Sequence, residues 1–176
     1  MVSTVIKNWD NKTWLSSKNY ILNFNNFLTK ANKLDSNSQI LDIGCGRGKI
    51  IGSLSSKLKL RVKPIGIDLV YHKDKDKRID FKKIDAISFF SINKKKFDLI
   101  LIKQTIHLLK MSERKNLLIK MKKSLKPNGK ILIFTLKPHN NEIPNFKLMR
   151  IRLLKSLKRD EKILKFISKL YPKRIM

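Results

Sequence analysis

The sequence predicts an α/β fold, an open, doubly wound, mainly parallel sheet with helices on both faces. Short apolar runs alternate with segments of helical periodicity between residues 39 and 136, in the order βαβαβ…αβ. A turn containing Gly44, Gly46 and Gly48 joins the first run to a helical pattern. Residues 97–102 are almost continuously apolar, as in a strand buried on both faces.

A helix is predicted ahead of the sheet, over residues 11–33. Its large apolar residues recur at steps of three and four, which indicates one buried stripe. They are Trp14, Ile21, Phe24, Leu28 and Ala31. We divide the single predicted domain into an N-terminal cap at residues 1–38, a core at 39–136 and a basic amphipathic helix at 137–176.

The first two strands are predicted at residues 39–43 and 62–68. The helix between them has its apolar side chains at Ile50, Ile51, Leu54 and Leu58. A strand, helix and strand of this length form a right-handed crossover between parallel strands, whose ends meet at one edge of the sheet. We therefore expect Asp42, the glycine turn and Asp68 to converge.

The middle of the chain continues the alternation with a shortened connection. Residues 71–77 are charged and have no apolar period, so no helix is predicted there. Residues 79–84 form a weak third strand. We interpret the apolar run at 97–102 as the fourth strand and as the centre of the sheet.

The last helix of the core is predicted to begin at Ser112 and Glu113, a capping hydroxyl and an acid in the first turn. Its buried face consists of Leu117, Leu118, Met121 and Leu125. Pro127, Asn128 and Gly129 end it, and residues 130–136 form the fifth strand.

The glycine turn is predicted to bind a ligand. Its glycines allow backbone angles closed to other residues and bring a ligand close to the free amides of the next helix. They run G-x-G-x-G behind Asp42, whereas the dinucleotide fingerprint runs G-x-G-x-x-G. A carboxylate beside the turn repels phosphate and suits a cation.

The stretch from Asp42 to Gly48 resembles motif I of class I S-adenosylmethionine-dependent methyltransferases, in the form D-x-G-C-G-x-G. Further matches follow in the order of that family, at Gly66-Ile67-Asp68, Ile84-Asp85-Ala86, Phe97-Asp98-Leu99-Ile100 and Leu125-Lys126-Pro127-Asn128-Gly129-Lys130-Ile131-Leu132. The likeness covers residues 40–136 and is to the broad group of small-molecule methyltransferases. It implies a Rossmann-like fold and S-adenosyl-L-methionine as cofactor.

The resemblance also implies a set of cofactor-binding residues. They are Asp42, Gly44, Cys45, Gly46, Gly48, Asp68, Leu69, Asp85, Ala86, Lys103 and Gln104. Asp68 would accept hydrogen bonds from both ribose hydroxyls, and Asp85 from the adenine amino group, with Ala86 leaving room for the ring. Asp80 is a rival for the role of Asp85. Trp14 or Tyr20 could cover the ligand or simply belong to the core.

His107 is the candidate catalytic residue, since relatives often carry a histidine at this place. Its unperturbed pKa suits a general base, but it could equally be a polar residue of a helix. Cys45 is the only cysteine, which excludes an internal disulfide and a multi-cysteine metal site. Its place in the turn suggests a packing role over a reactive one, and we predict no metal.

A small metabolite is the predicted acceptor. Lys103-Gln104-Thr105 stands where enzymes acting on exocyclic amines of bases carry Asn/Asp-Pro-Pro-aromatic. A cysteine in a later motif, used for base-ring carbons, is missing, as is the aspartate of the Lys-Asp-Lys-Glu set used on ribose. RNA is the runner-up acceptor, and a non-catalytic binding module is the third alternative.

The net charge of +28, from 41 Lys and Arg against 13 Asp and Glu, has two interpretations. It fits a polyanion partner such as RNA. It also fits codon bias, because Lys, Asn and Ile are abundant along the whole chain. No apolar run approaches the roughly 20 residues of a membrane span, and the first residues lack the order of an export signal, so we expect a cytoplasmic protein.

The C-terminal segment departs from the family pattern. Relatives finish with a further helix and an antiparallel pair of strands, but only one helical segment, at residues 146–171, is predicted here, so we expect the closing hairpin to be missing. That helix is apolar on one side and crowded with lysine and arginine on the rest. It could pack as the sixth helix, dock on anionic membrane or RNA, or pair with another copy.

Overall fold

The computed structural model describes residues 18–134. Strands and helices alternate through that range, except that the second strand is followed directly by the third. The elements are α1 (Lys18–Asn32), β1 (Ile40–Ile43), α2 (Lys49–Leu58), β2 (Ile65–Asp68), β3 (Asp80–Lys83), α3 (Ala86–Ile92), β4 (Phe97–Lys103), a 3₁₀ turn (Ile106–Leu108), α4 (Met111–Lys123) and β5 (Leu125–Phe134).

The five strands form one sheet in the order β3-β2-β1-β4-β5, and every neighbouring pair is parallel. This confirms the predicted fold class. The prediction that the fourth strand is the centre of the sheet is wrong, because β1 occupies the middle position. The side chains of β4 are nevertheless buried from Leu99 to Ile102, as expected for a parallel strand whose two faces are covered by helices.

The direction of each crossover places the helices on opposite faces of the sheet. The chain moves one way from β1 to β2, and the opposite way from β3 to β4 and on to β5. Right-handed crossovers in opposite directions put their helices on opposite faces. Accordingly, α1 packs on α2, and α3 packs on α4.

The helix α1 is fixed to the sheet by aromatic and polar contacts. Phe24 is fully buried, and its ring lies edge-on to that of Phe134, with 4.8 Å between centroids. The buried Asn25 donates a hydrogen bond from Nδ2 to the carbonyl of Ile50 at 3.1 Å. These contacts hold α1 over β5 and beside the start of α2.

Two element boundaries differ from the predictions. The helix α4 begins at Met111, and its first free amide, that of Lys110, donates to the carboxylate of Glu113 at 2.7 Å, so Ser112 is not the cap. The strand β5 already begins at Leu125, which pairs with Phe97. The pairing of β5 with β4 is irregular between Phe97 and Leu99, and Asn128 in this part of β5 has a left-handed φ of 66°. Regular pairing resumes with Leu99 and Lys130.

The helix α3 was not predicted. The absence of a helix after β2, in contrast, was predicted. Asp85 caps α3, because its side chain accepts a hydrogen bond from the amide of Ser88 at 2.9 Å. No helix is found between β2 and β3 in the described chain, which agrees with the charged loop predicted there.

Several predictions lie outside residues 18–134. They concern the start of the first helix with Trp14, the last residues of the fifth strand, the basic C-terminal helix and the closing hairpin. The division into cap, core and C-terminal helix therefore stays a prediction. Among the helices that the structure describes, none is long and apolar enough to cross a bilayer.

Candidate functional site

The candidate site lies where the strand order reverses. The chain leaves β1 toward β2 on one side, while β4 lies on the other side of β1. Such a switch point opens a crevice at the carboxyl ends of the two strands, which is where open α/β sheets bind ligands. The glycine turn follows β1, and Gln104 and Thr105 follow β4.

The glycine turn is held by backbone hydrogen bonds to β2. The amides of Gly44 and Cys45 both donate to the carbonyl of Ile67, at 2.9 and 3.0 Å. Gly44, Gly46 and Gly48 have φ angles of 71°, 54° and 67°, in the left-handed region that side chains disfavour. The turn therefore presents backbone at the crevice and leads directly into α2.

Asp68 ends β2 and bridges the turn to the loop that follows. Its Oδ2 accepts a hydrogen bond from the amide of Gly46 at 2.8 Å, and its Oδ1 accepts one from the amide of Val70 at 2.9 Å. The predicted convergence of the turn with Asp68 is therefore present. Each carboxylate oxygen retains capacity for a further donor.

Asp42 is buried in β1 beside Gly66 of β2, with 4% of its surface exposed. Its Oδ1 has no hydrogen-bond partner among residues 18–134. Burial raises the pKa of Asp42 to about 7, the positive charge of Lys103 opposes the shift, and the negative charge of Asp68 adds to it. The two carboxylates thus lie close enough to interact.

Cys45 packs its sulfur over Gly66. A methyl group added to Gly66 would lie 2.8 Å from Sγ, so a larger residue there would have to displace the Cys45 side chain. Burial, together with the charges of Asp42 and Asp68, raises the pKa of the Cys45 thiol far above its usual range. The protonated thiol is a poor nucleophile, so the geometry fits a packing role.

The end of β4 closes the other side of the crevice. Gln104 has a left-handed φ of 53°, and its amide donates to the carbonyl of Phe134 at 2.6 Å. Thr105 then turns back, so that a methyl group on Gly44 would lie 2.0 Å from its Oγ1. Burial lowers the pKa of Lys103 to about 8, an effect that Asp42 opposes.

The remaining predicted residues lie at the β2 and β3 ends. Asp85 is joined to the site through the backbone, since the amide of Ile84 donates to the carbonyl of Asp68 at 3.0 Å. Ala86 starts α3, and Leu69 is 44% exposed. Asp80 is the first residue of β3, so it lies at the amino end of that strand, whereas the candidate site lies at the carboxyl ends of the strands. This position removes Asp80 as a rival to Asp85.

His107 falls in the 3₁₀ turn after β4, and its side chain lies outside what the structure describes. The backbone there is closed by a bond from the amide of Leu108 to the carbonyl of Thr105, at 2.9 Å. Its role as a base stays a prediction. No group of three potential metal ligands occurs within residues 18–134.

The sequence matches a family model described as a methyltransferase domain over residues 40–129, which is just over half of the chain. The chain belongs to this family. The match spans the glycine turn, Asp68 and the end of β4, and it confirms the resemblance predicted from the sequence. No curated protein matches this methyltransferase domain significantly.

Solved methyltransferases share the fold of this methyltransferase domain. The N-methyltransferase NodS from Bradyrhizobium japonicum, in complex with S-adenosyl-L-homocysteine, is 21% identical with a TM-score of 0.55, over 70% of this chain and 66% of that one. The amino pentose methyltransferase CalS10 from Micromonospora echinaspora, bound to S-adenosylmethionine, is 16% identical with a TM-score of 0.58, over 76% and 55%. The plantazolicin methyltransferase BpumL, in complex with S-adenosyl-L-homocysteine, is 26% identical with a TM-score of 0.54, over 68% and 49%. The chain therefore spans between about half and two thirds of the length of these structures.

Sequence reasoning missed three residues that shape the crevice of the methyltransferase domain. Thr105 packs against Gly44, and Val70 donates its amide to Asp68. The Nε–H of Arg47 is shared between the two carboxylate oxygens of Asp74, at 2.7 and 2.9 Å, and this contact holds the charged loop beside the turn. The alternating charges of that loop were the only signal, and they do not specify partners.

Proposed function

We propose that this methyltransferase domain binds S-adenosyl-L-methionine at the switch point and transfers its methyl group to a small-molecule acceptor. The observation that carries the proposal is the hydrogen bond from the amide of Gly46 to Asp68, which holds an acid against a turn whose three glycines expose the backbone. The ribose of the cofactor and its positively charged methionyl part could both bind there.

The residues present fit this cofactor. Asp42 contributes a buried carboxylate oxygen that has no partner among the described residues, which suits a cationic ligand. Gly44 leaves no space for a side chain between the turn and Thr105, so the ligand would meet bare backbone. Asp68 would hold the ribose hydroxyls with the lone pairs that Gly46 and Val70 leave available.

The adenine end would lie beside β3. In this proposal Asp85 accepts from the amino group, although the same carboxylate already caps α3 through the amide of Ser88. Ala86 and the exposed Leu69 would border the ring. Gln104 would line the methionyl end of the crevice from the β4 side.

When bound, the cofactor supplies a methyl group on a positively charged sulfur, so charge is dispersed rather than created during transfer. The residues of the chain then act mainly by orientation. Holding the acceptor in line and excluding water contributes up to about 7–11 kcal/mol in favourable cases. A base is needed only for an acceptor that arrives protonated, and His107 is the candidate for that step.

The acceptor remains a small molecule of unidentified structure. The solved relatives named above include an amino pentose methyltransferase and a plantazolicin methyltransferase, which supports a small acceptor over RNA. The RNA alternative depends on the net charge alone. The cytoplasmic location stays a prediction.

Calorimetric titration with S-adenosyl-L-methionine and S-adenosyl-L-homocysteine tests the proposal. We expect the full chain to bind both. The variant Asp68→Ala should bind about 100-fold more weakly, because it loses two hydrogen bonds to a charged acceptor. Asp80→Ala is the matched control, since Asp80 lies at the opposite edge of the sheet, and its affinity should equal that of wild type.

The outcomes separate the alternatives. A folded wild-type chain that binds neither compound would remove the proposed function. Binding that Asp68→Ala leaves unchanged would show that the cofactor lies elsewhere. Binding without methyl transfer to any of a broad panel of small molecules and RNA would favour the non-catalytic module.

A further inference from the structure

Exposed basic residues line the end of the sheet that lies opposite the candidate site. The five strands are parallel, so the connections that enter them meet at this amino-end edge. Residues 57–63 lead into β2 and hold four basic residues, residues 94–96 lead into β4 and hold three, and residues 120–126 lead into β5 and hold four. None of these segments contains an acid. We define the basic edge as their exposed members, which are Lys57, Lys59, Arg61, Lys63, Lys94, Lys95, Lys96, Lys122 and Lys123.

The carboxyl ends of the strands show no comparable excess of positive charge. The glycine turn at residues 42–48 carries one acid and one basic residue. Residues 68–76, which follow β2, carry three acids and two lysines, and residues 103–109 carry one lysine. Codon bias would raise the lysine content of both ends of the sheet alike, so it does not account for this difference between them.

Contacts between the connections make the basic edge continuous. The amide of Arg61 donates to the carbonyl of Ser36 at 2.9 Å, which joins the entry of β2 to that of β1. The ammonium of Lys96 donates to the carbonyl of Lys123, which joins the entry of β4 to that of β5. Because β1 and β4 are neighbours, and adjacent strands are about 4.8 Å apart, the edge from β2 to β5 is about 14 Å long, similar to the rise of about four stacked nucleotides.

The acids near this end of the sheet are bound to other partners. Asp98 forms an ion pair with Lys126 at 2.7 Å, and Asp35 accepts a hydrogen bond from the amide of Asn37 at 2.9 Å. No carboxylate within residues 18–134 forms an ion pair with a member of the basic edge. The charges of this edge are therefore available to an anionic partner.

We propose that the basic edge binds the phosphate backbone of a single-stranded nucleic acid, away from the candidate site. The cations follow one edge of the sheet, so they can pair with the phosphates of one strand. The three segments of the edge have no exposed aromatic side chain on which a base could stack, so binding should not depend on sequence. An anionic membrane is a weaker match, because Val62 is the one large apolar side chain exposed in these segments. The inference goes beyond the proposed function and does not depend on it, since the strand is a partner and not the methyl acceptor.

The test compares two variants of the full chain that lose the same number of positive charges at different ends of the sheet. The edge variant combines Arg61→Gln, Lys94→Gln, Lys95→Gln and Lys122→Gln. The control variant combines Lys73→Gln, Lys83→Gln, Lys110→Gln and Lys115→Gln, which are exposed and lie toward the carboxyl ends of the strands. Both variants keep the basic residues outside 18–134, so those residues contribute equally to both.

Fluorescence anisotropy with a labelled oligouridylate of about 20 nucleotides measures the affinity across a salt series. At about 0.1 M salt the edge variant should bind more than about tenfold more weakly than the control variant. The slope of log affinity against log salt should be smaller by about 2–3 in the edge variant, because each lost phosphate contact removes about 0.7. An oligoadenylate of the same length should bind as tightly as the oligouridylate.

Equal weakening in the two variants would overturn the inference, because it would mean that only the total charge matters. No binding by the wild-type chain, or an affinity that salt leaves unchanged, would overturn it as well. Binding to phosphatidylserine vesicles but not to the oligonucleotides would assign the edge to a membrane instead. If the fourfold variant does not fold, the double variant of Arg61→Gln and Lys95→Gln should show about half the change in slope. Calorimetry should give wild-type affinity of the edge variant for S-adenosyl-L-methionine, so failure of this inference is distinguishable from failure of the proposed function.

Discussion

Asp42 shows how one buried residue connects stability with ligand binding. Its carboxyl group is almost fully buried, and burial raises its pKa from 3.8 to about 7. The charged form is therefore disfavoured in the folded chain, with Lys103 reducing the effect and Asp68 increasing it. A cationic ligand would stabilise the ionised carboxylate of Asp42. Ligand binding would therefore offset the cost of burying this charge.

The replacement Asp42→Asn should remove a specific pH dependence of stability. Between pH 5 and pH 7 the folded chain binds this proton and the unfolded chain largely does not, so the free energy of unfolding of wild type should fall as pH rises. The expected fall is about 2 kcal/mol relative to Asp42→Asn. Urea unfolding of both proteins across this range measures it.

The control for this measurement is Asp80→Asn, on the edge strand β3, which should follow wild type. If the curves of wild type and Asp42→Asn run parallel from pH 5 to pH 7, the buried charge is not the cause. We also expect Asp42→Asn to weaken binding of S-adenosyl-L-methionine while it stabilises the free protein near pH 7.

At the scale of elements, the glycine turn is constrained from two sides. Gly44 and Gly48 have nearly the same φ, 71° and 67°, so an alanine meets similar backbone strain at both. Their surroundings differ. A methyl group on Gly44 would lie within 2.8 Å of three atoms of Thr105, whereas one on Gly48 meets mainly the mobile end of Ile79.

We therefore predict that Gly44→Ala lowers the free energy of unfolding more than Gly48→Ala does. The expected difference is about 1–2 kcal/mol, because Ile79 can rotate away and Thr105 is held by its bond to the carbonyl of Lys103. Equilibrium unfolding in urea compares the two variants. Equal losses, or a larger loss in Gly48→Ala, would show that Thr105 does not support the turn.

Elements with a strong local signal could be predicted from the sequence, and those decided by distant contacts could not. The glycine turn and the apolar strand β4 carry their own patterns. The contact of Thr105 with Gly44 joins residues far apart in the chain, and no spacing rule reveals it. The helix α3 is only seven residues long, too short to show a clear period.

The start of β5 illustrates the same limit. Pro127, Asn128 and Gly129 are residues of a turn, and the sequence places them at the end of a helix. In the structure they lie within the strand, because the backbone at Gly129 approaches the carbonyl of Phe97 so closely that a methyl group would lie 2.6 Å from it. Tertiary contact therefore overrides the local preference.

At the scale of the whole molecule, topology explains why the candidate residues meet. The parallel order β3-β2-β1-β4-β5 brings the ends of β1, β2 and β4 to one edge. Asp42, Asp68 and Lys103 come from these three strands, and the electrostatic effect of Lys103 and Asp68 on Asp42 reflects their proximity. The sequence predicted the edge correctly, but it did not indicate that Lys103 would lie close enough to Asp42 to affect its pKa.

A crystal structure of the chain with S-adenosyl-L-homocysteine is the most direct test of the central claim. We expect the ribose hydroxyls within about 3.2 Å of the carboxylate of Asp68, with the amino-acid end next to Gly44 and Asp42. A ligand bound away from the switch point, or a crevice that Thr105 and Lys103 keep closed when the compound is present in excess, would contradict the account.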